Sequence, residues 1–164
     1  MRKIFLILFV LPLILLTACN KSSSSYTCNY TAPTTVASAT EIASLKAYLD
    51  SNSITYTVHP SGIFYNITAP GTGTITPGVC SYVTVKYMGR LITTTTPFDQ
   101  NTDGTTFQLG QLIKGWQYGI PLIKPGGSIT LYIPPSLGYG ATGAGQAIPP
   151  NSYLVFTINL LGIQ

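Results

Sequence analysis

Val79-Cys80-Ser81-Tyr82-Val83-Thr84-Val85-Lys86-Tyr87-Met88 alternates in polarity, with Val83, Val85 and Tyr87 on one side of an extended chain and Tyr82, Thr84 and Lys86 on the other. Strand side chains point to opposite faces with a period of two, so this stretch predicts a half-buried antiparallel strand. Ser128-Ile129-Thr130-Leu131-Tyr132-Ile133 repeats the pattern, and over 153–160 Leu154, Phe156, Ile158 and Leu160 face together. Residues 62–67, rich in aromatic and β-branched side chains and bounded by Pro60 and by Ala69-Pro70-Gly71, predict a further strand. Two segments keep helical spacing instead: Ile42, Leu45 and Leu49 form one stripe, and Ile113, Trp116 and Ile120 another, shortened by Gly115 and Gly119. The expected class is α+β, a twisted antiparallel β-sheet wrapped around one short α-helix, with a short N-terminal helix over 40–52.

The 164 residues are enough for one domain with a sizeable core. Charged residues make up 7% and hydrophobic ones 45%, against a charged share of about 25% in soluble domains, which excludes a solvated disordered chain. The formal charge is +4, but Arg2 and Lys3 precede an apolar run and would leave with it. The six remaining cations are dispersed and offer no footprint for a nucleic-acid backbone, so that partner class is set aside.

Ile4 to Leu16 spans thirteen positions, apolar apart from one Pro, and is followed by Thr17-Ala18-Cys19. A membrane span needs about 20 apolar residues, so the run predicts an export signal over 1–18. Leu16-Thr17-Ala18-Cys19 resembles the lipobox of bacterial lipoproteins, which implies cleavage before Cys19 and its lipidation; a plain secretory signal with an accidental Cys is the alternative reading. Several acyl chains on one residue would anchor the chain stably to a bacterial membrane, facing the periplasm or the cell surface. Asn20, not an acid, follows Cys19, which points to the outer membrane where the source has two. Residues 19–39, rich in Ser, Thr and Ala, read as a flexible tether, and 53–164 as the functional domain. Cys28 in the tether and Cys80 in the domain would reach an oxidising compartment; a disulfide and two free thiols both remain open.

Three apparent motifs fail on context. Gly138, Gly140 and Gly143 satisfy G-x-G-x-x-G but run into Ala147-Ile148-Pro149-Pro150, where no helix can open under a dinucleotide. Asp99-Gln100-Asn101-Thr102-Asp103-Gly104 imitates half a calcium loop, yet Gly110 stands where the bidentate Glu is required, so no metal is expected. His59, the single histidine, lies beside Pro60 with no nucleophile elbow anywhere in the chain.

What survives is a set of aromatic residues around one acid, which on its own could simply be core. Its order along the chain is more specific: Val85-Lys86-Tyr87-Met88-Gly89, Phe98-Asp99, Phe107-Gln108-Leu109-Gly110, Ile113-Lys114-Gly115-Trp116, Tyr139-Gly140, and Ile148-Pro149-Pro150-Asn151 through Phe156. In that order the chain from about Gly62 to Leu161 resembles the FKBP-type peptidyl-prolyl cis-trans isomerases. The resemblance implies a curved sheet around a short helix and a pocket made by Tyr87, Phe98, Asp99, Phe107, Leu112, Ile113, Trp116, Tyr139, Ile148 and Phe156, with Trp116 as its floor. It assigns catalysis to Tyr87, Asp99 and Tyr139, and has the Ile113 amide and the Tyr139 hydroxyl bind carbonyls of the substrate chain. Thr105, where the family often has an aromatic, and the small Ala144 and Ala147 imply an open rim with reduced affinity for macrolide inhibitors.

Rotating an X-Pro bond breaks no covalent bond and needs no cofactor; only the loss of amide resonance, about 18–20 kcal/mol, stands in the way. The sequence therefore reads as a membrane-anchored isomerase assisting the folding of exported, proline-containing polypeptides. Its rivals are a proline-peptide-binding chaperone module without useful turnover and an inert surface domain. No long helical arm of the kind some family members use for dimerisation or client capture is legible, which gives the chaperone rival little separate support; a monomer is expected.

Overall fold

A computed structural model describes residues 27–164. The signal, Cys19 and the first part of the tether lie outside the described residues. Helix α1 (Ala39–Ser51) starts at Ser38, whose side chain accepts from the Glu41 amide while the Glu41 carboxylate accepts from the Ser38 amide. This reciprocal pair satisfies donors that the first helical turn leaves orphaned. The strands are β1 (Thr57–Val58), β2 (Phe64–Ala69), β3 (Tyr82–Leu91), β4 (Pro97–Gln108), β5 (Ser128–Ile133) and β6 (Leu154–Ile163), with helix α2 (Lys114–Gly119) between β4 and β5. They form one sheet in the order β1-β2-β5-β6-β3-β4, antiparallel throughout.

Alternation along the strands decides which layer each side chain joins. On β5, Ile129, Leu131 and Ile133 enter the main core with Trp116 and Ile120, whereas Tyr132 joins a second cluster on the opposite face. On β6, Leu154, Phe156, Ile158 and Leu160 all enter the main core, as their spacing predicts, and Val155 turns the other way. Leu45 and Leu49 of α1 pack in that second cluster with Phe64, Ile92, Tyr132 and Val155. The sheet thus carries one helix on each face. Gly115 and Gly119 let α2 lie flat on β5, since a Cβ at either would run into Ile133 or Leu131.

One segment that the sequence left unassigned and one that departs from its expectation complete the fold. The polar run Asp99–Thr106 lies within β4, the edge of the sheet, where residues 102–104 bulge opposite Lys86 and the Asn101 side chain accepts from the amides of Asp103 and Gly104. An edge strand exposed to solvent needs no apolar alternation, so its composition resembles a loop.

The departure concerns the part of the expected 19–39 tether that lies within the described residues: 27–38 run along the domain. The Tyr118 hydroxyl meets the carbonyls of Pro33 and Thr35, each at 2.8 Å. Lys114 Nζ donates to Thr35 at 2.6 Å, and Gln111 Nε2 donates to the Tyr30 hydroxyl at 2.8 Å. Ala37 is buried, and its amide bonds the Ser61 carbonyl at 2.9 Å. Cys28 and Cys80 are disulfide-bonded, with Cα atoms 5.6 Å apart. Tyr118→Phe deletes the hydroxyl that holds this strap to α2 and is expected to lower stability by about 0.5–1.5 kcal/mol in urea denaturation. An unchanged midpoint would show that the strap is held by its other contacts.

Candidate active site

The concave face of the sheet and α2 enclose a cavity of about 220 Å³ lined by Tyr87, Asp99, Phe107, Leu112, Ile113, Trp116, Tyr139 and Phe156. Its floor is Trp116, 4% exposed, which Gly115 allows to sit close over β5. Tyr87, Phe156 and Phe107 meet the indole edge-on, with ring centroids at 5.3, 5.2 and 6.3 Å. Such edge-to-face pairs bring positive ring edges onto negative faces and fix ring orientation. The strand period places the walls: Tyr87 follows Val83 and Val85 on the inner side of β3, and Phe156 occupies the matching side of β6.

The polar atoms lie at the mouth. In the pairing of β3 with β4, Gly89 is opposite Asp99 and Tyr87 opposite Asn101, which brings the Tyr87 hydroxyl to within 2.7 Å of Asp99 Oδ2. Burial first, then the adjacent Asp99 carboxylate, pushes the Tyr87 phenol up to about 12, so it keeps its proton at neutral pH and donates to Asp99. Tyr139, 38% exposed on the loop after β5, is likewise raised by burial and then by the Asp99 charge. The cavity therefore combines an aromatic interior, one carboxylate and two protonated phenols. Among its lining residues no nucleophile stands beside a base.

A family model described as FKBP-type peptidyl-prolyl cis-trans isomerase matches residues 73–161, more than half of the chain. The chain belongs to the FKBP family. A probable FKBP-type isomerase, FkpA, of Neisseria meningitidis is 45% identical over 105 residues, covering 63% of this chain and 38% of the relative. "Outer membrane protein MIP" of Legionella longbeachae is 38% identical over 110 residues, 65% of this chain and 46% of that protein. The crystal structure of FkpA from Escherichia coli superposes with a TM-score of 0.67 at 35% identity, over 77% of this chain and 60% of that one. This FKBP chain thus spans less than half the length of the two sequence relatives, and what they share with it is the domain described above.

Of the ten FKBP pocket residues expected from sequence, eight line the cavity. Phe98 and Ile148 stand behind the lining. Phe98 packs edge-on against Phe156 at 5.7 Å, supporting that wall from outside the cavity. Ile148 is 5% exposed in the main core and pairs with Ala144 across the base of the Tyr139 loop. Two glycines, each inside a stretch already quoted from the sequence, also shape the site. At Gly89 a Cβ would collide with Phe156 and approach Phe98 to 2.9 Å, so glycine is what lets these two rings close over β3. Gly143 has φ +68° and would meet the Ile148 carbonyl if it carried a Cβ, which fixes the tight turn below Tyr139. The motif Val85-Lys86-Tyr87-Met88-Gly89 already contained the first of them.

Proposed function

We propose that this chain catalyses cis–trans isomerisation of X-Pro bonds in exported polypeptides, anchored to a bacterial membrane through lipidated Cys19. The observation that carries the catalytic reading is the aromatic cavity on Trp116 with Tyr87, Asp99 and Tyr139 at its mouth. A planar amide is strongly dipolar, and twisting it removes resonance and charge separation together. A prolyl ring buried against Trp116, Phe107 and Phe156 moves its amide into a medium that favours the less dipolar, twisted form, so binding strengthens towards the transition state. Tyr139 and the Ile113 amide, at the rim and at the start of α2, hold the flanking carbonyls while the bond turns. Asp99, oriented by the Tyr87 hydroxyl, supplies the fixed negative charge beside the rotating amide. No step needs a cofactor or metal. The name of the Legionella relative and the Arg2-Lys3 to Cys19 signal pattern support the exported, membrane-held reading, and mass spectrometry of the mature N-terminus tests it by finding Cys19 acylated or not.

The test of catalysis is the cis-to-trans relaxation of a Leu-Pro or Phe-Pro tetrapeptide, followed without a coupling protease. Wild type is expected to accelerate it. Asp99 is exposed, so Asp99→Ala should leave the fold intact while lowering kcat/KM by about ten- to a hundredfold, the effect of one positioned polar contact. Binding of proline peptides without acceleration would assign the pocket to a chaperone module. Acceleration that survives Asp99→Ala would remove Asp99 from the mechanism.

A further inference from the structure

Glu41 lies on α1, outside the cavity, yet its carboxylate reaches a segment that carries part of the site. Oε1 accepts from the Ser136 amide at 2.8 Å, and Oε2 accepts from the Ser136 hydroxyl at 2.8 Å. Oε2 also takes the Ser38 amide and hydroxyl, each at 2.9 Å. One carboxylate therefore closes the capping box of α1 and clamps Ser136, 95 residues later in the chain. Burial works against its charge, but the four hydrogen bonds more than offset this and hold the carboxyl below its ordinary value.

Ser136 is the middle residue of the 3-10 turn Pro135–Leu137, which leads directly into Tyr139. The Pro135 carbonyl accepts from the amides of Gly138 and Gly140, at 3.0 and 2.8 Å, and Leu137 is fully buried. The turn that Glu41 grips is thus the fixed base of the loop bearing Tyr139, whose own side chain is 38% exposed and has no hydrogen-bond partner among the described residues to hold it. Helix capping alone does not account for this geometry, because Ser38 would suffice for a cap.

We propose that Glu41 is a positioning residue for the isomerase reaction: through Ser136 it fixes the loop that holds Tyr139 over the pocket, so the N-terminal helix takes part in building the site. The proposal rests on the isomerase reading above. Its test compares Glu41→Ala, Glu41→Gln, Tyr139→Phe and the double variant Glu41→Ala/Tyr139→Phe in the tetrapeptide relaxation assay, with hydrogen exchange of residues 138–148 alongside. Glu41→Ala should lower kcat/KM about three- to tenfold and raise exchange in the loop. In the double variant the rate should fall little below that of Tyr139→Phe alone, a non-additivity that a merely structural helix cap would not produce. Glu41→Gln keeps an acceptor for one Ser136 donor and should fall between wild type and Glu41→Ala, which covers the case of Glu41→Ala failing to fold. Lys46→Ala, which breaks only the exposed ion pair with Asp50 on the same helix, should match wild type. A folded Glu41→Ala or Glu41→Gln chain with wild-type kcat/KM and loop exchange, or an effect additive with Tyr139→Phe, would overturn the positioning role while leaving the isomerase reading intact. A wild-type chain that accelerates nothing would overturn both.

Discussion

Trp116→Ala is expected to remove about 3–5 kcal/mol of stability together with nearly all isomerase activity. The indole is 4% exposed and takes edges from Tyr87, Phe107 and Phe156, so its loss opens a void that none of these rings can fill without leaving its own contacts. Among the described residues no acceptor reaches the indole Nε1, so the loss is one of packing and not of a hydrogen bond. That separates two variants. Trp116→Phe, which keeps an aromatic face but no N–H, should recover more than half of the stability lost in Trp116→Ala. Urea denaturation followed by circular dichroism measures the first quantity, and peptide relaxation below the unfolding transition measures the second. Were Trp116→Phe as unstable as Trp116→Ala, the packing origin of the loss would be overturned. If folded Trp116→Ala kept wild-type kcat/KM, the floor of the pocket would lie elsewhere.

Breaking the Cys28–Cys80 link, by reduction or by a Cys28→Ser/Cys80→Ser double variant, is expected to lower stability by about 4 kcal/mol through the unfolded state. The bridge spans 52 residues, including α1, β1 and β2, and closing so long a loop removes much of the unfolded chain's freedom. A fall in Tm of roughly 10 °C would follow for a chain of this size. In the native state the strap should stay docked through Tyr118, Lys114 and Gln111, but with faster hydrogen exchange over 28–37. Two thiols that react in the native protein without reductant would contradict the bond, and an unchanged Tm on reduction would contradict its energetic role.

The parts of this fold legible in sequence are those where one face is dry. β3, β5 and β6 alternate because their inner residues face α2 and their outer ones solvent or α1, and Leu45 and Leu49 mark α1 in the same way. β4 was not legible, because only Phe98 and Phe107 near its ends reach the core and the polar run between them lies on the open edge of the sheet. The docked strap was hidden for a different reason: Tyr118 grips the carbonyls of Pro33 and Thr35, and every residue carries a carbonyl. For the site, the order of aromatic motifs located the eight lining residues. It could not separate lining residues from the supports Phe98 and Ile148, since a wall and its backing are equally apolar. Nor could it show the Glu41 clamp, whose partners are 95 residues apart and are both ordinary surface types.

The strand order also governs when the site can exist. β6 follows the other five strands in chain order, yet it lies between β5 and β3 and contributes Phe156 to the pocket. Until β6 arrives, the β3-β4 pair and the β1-β2-β5 group are separate and lack their common neighbour. Such non-local closure is slow compared with helix formation or hairpin closure. A chain emerging N-terminus first would therefore present its strap and first five strands before the cavity closes. The proposed capacity to act on other chains begins only when β6 has joined its two neighbours.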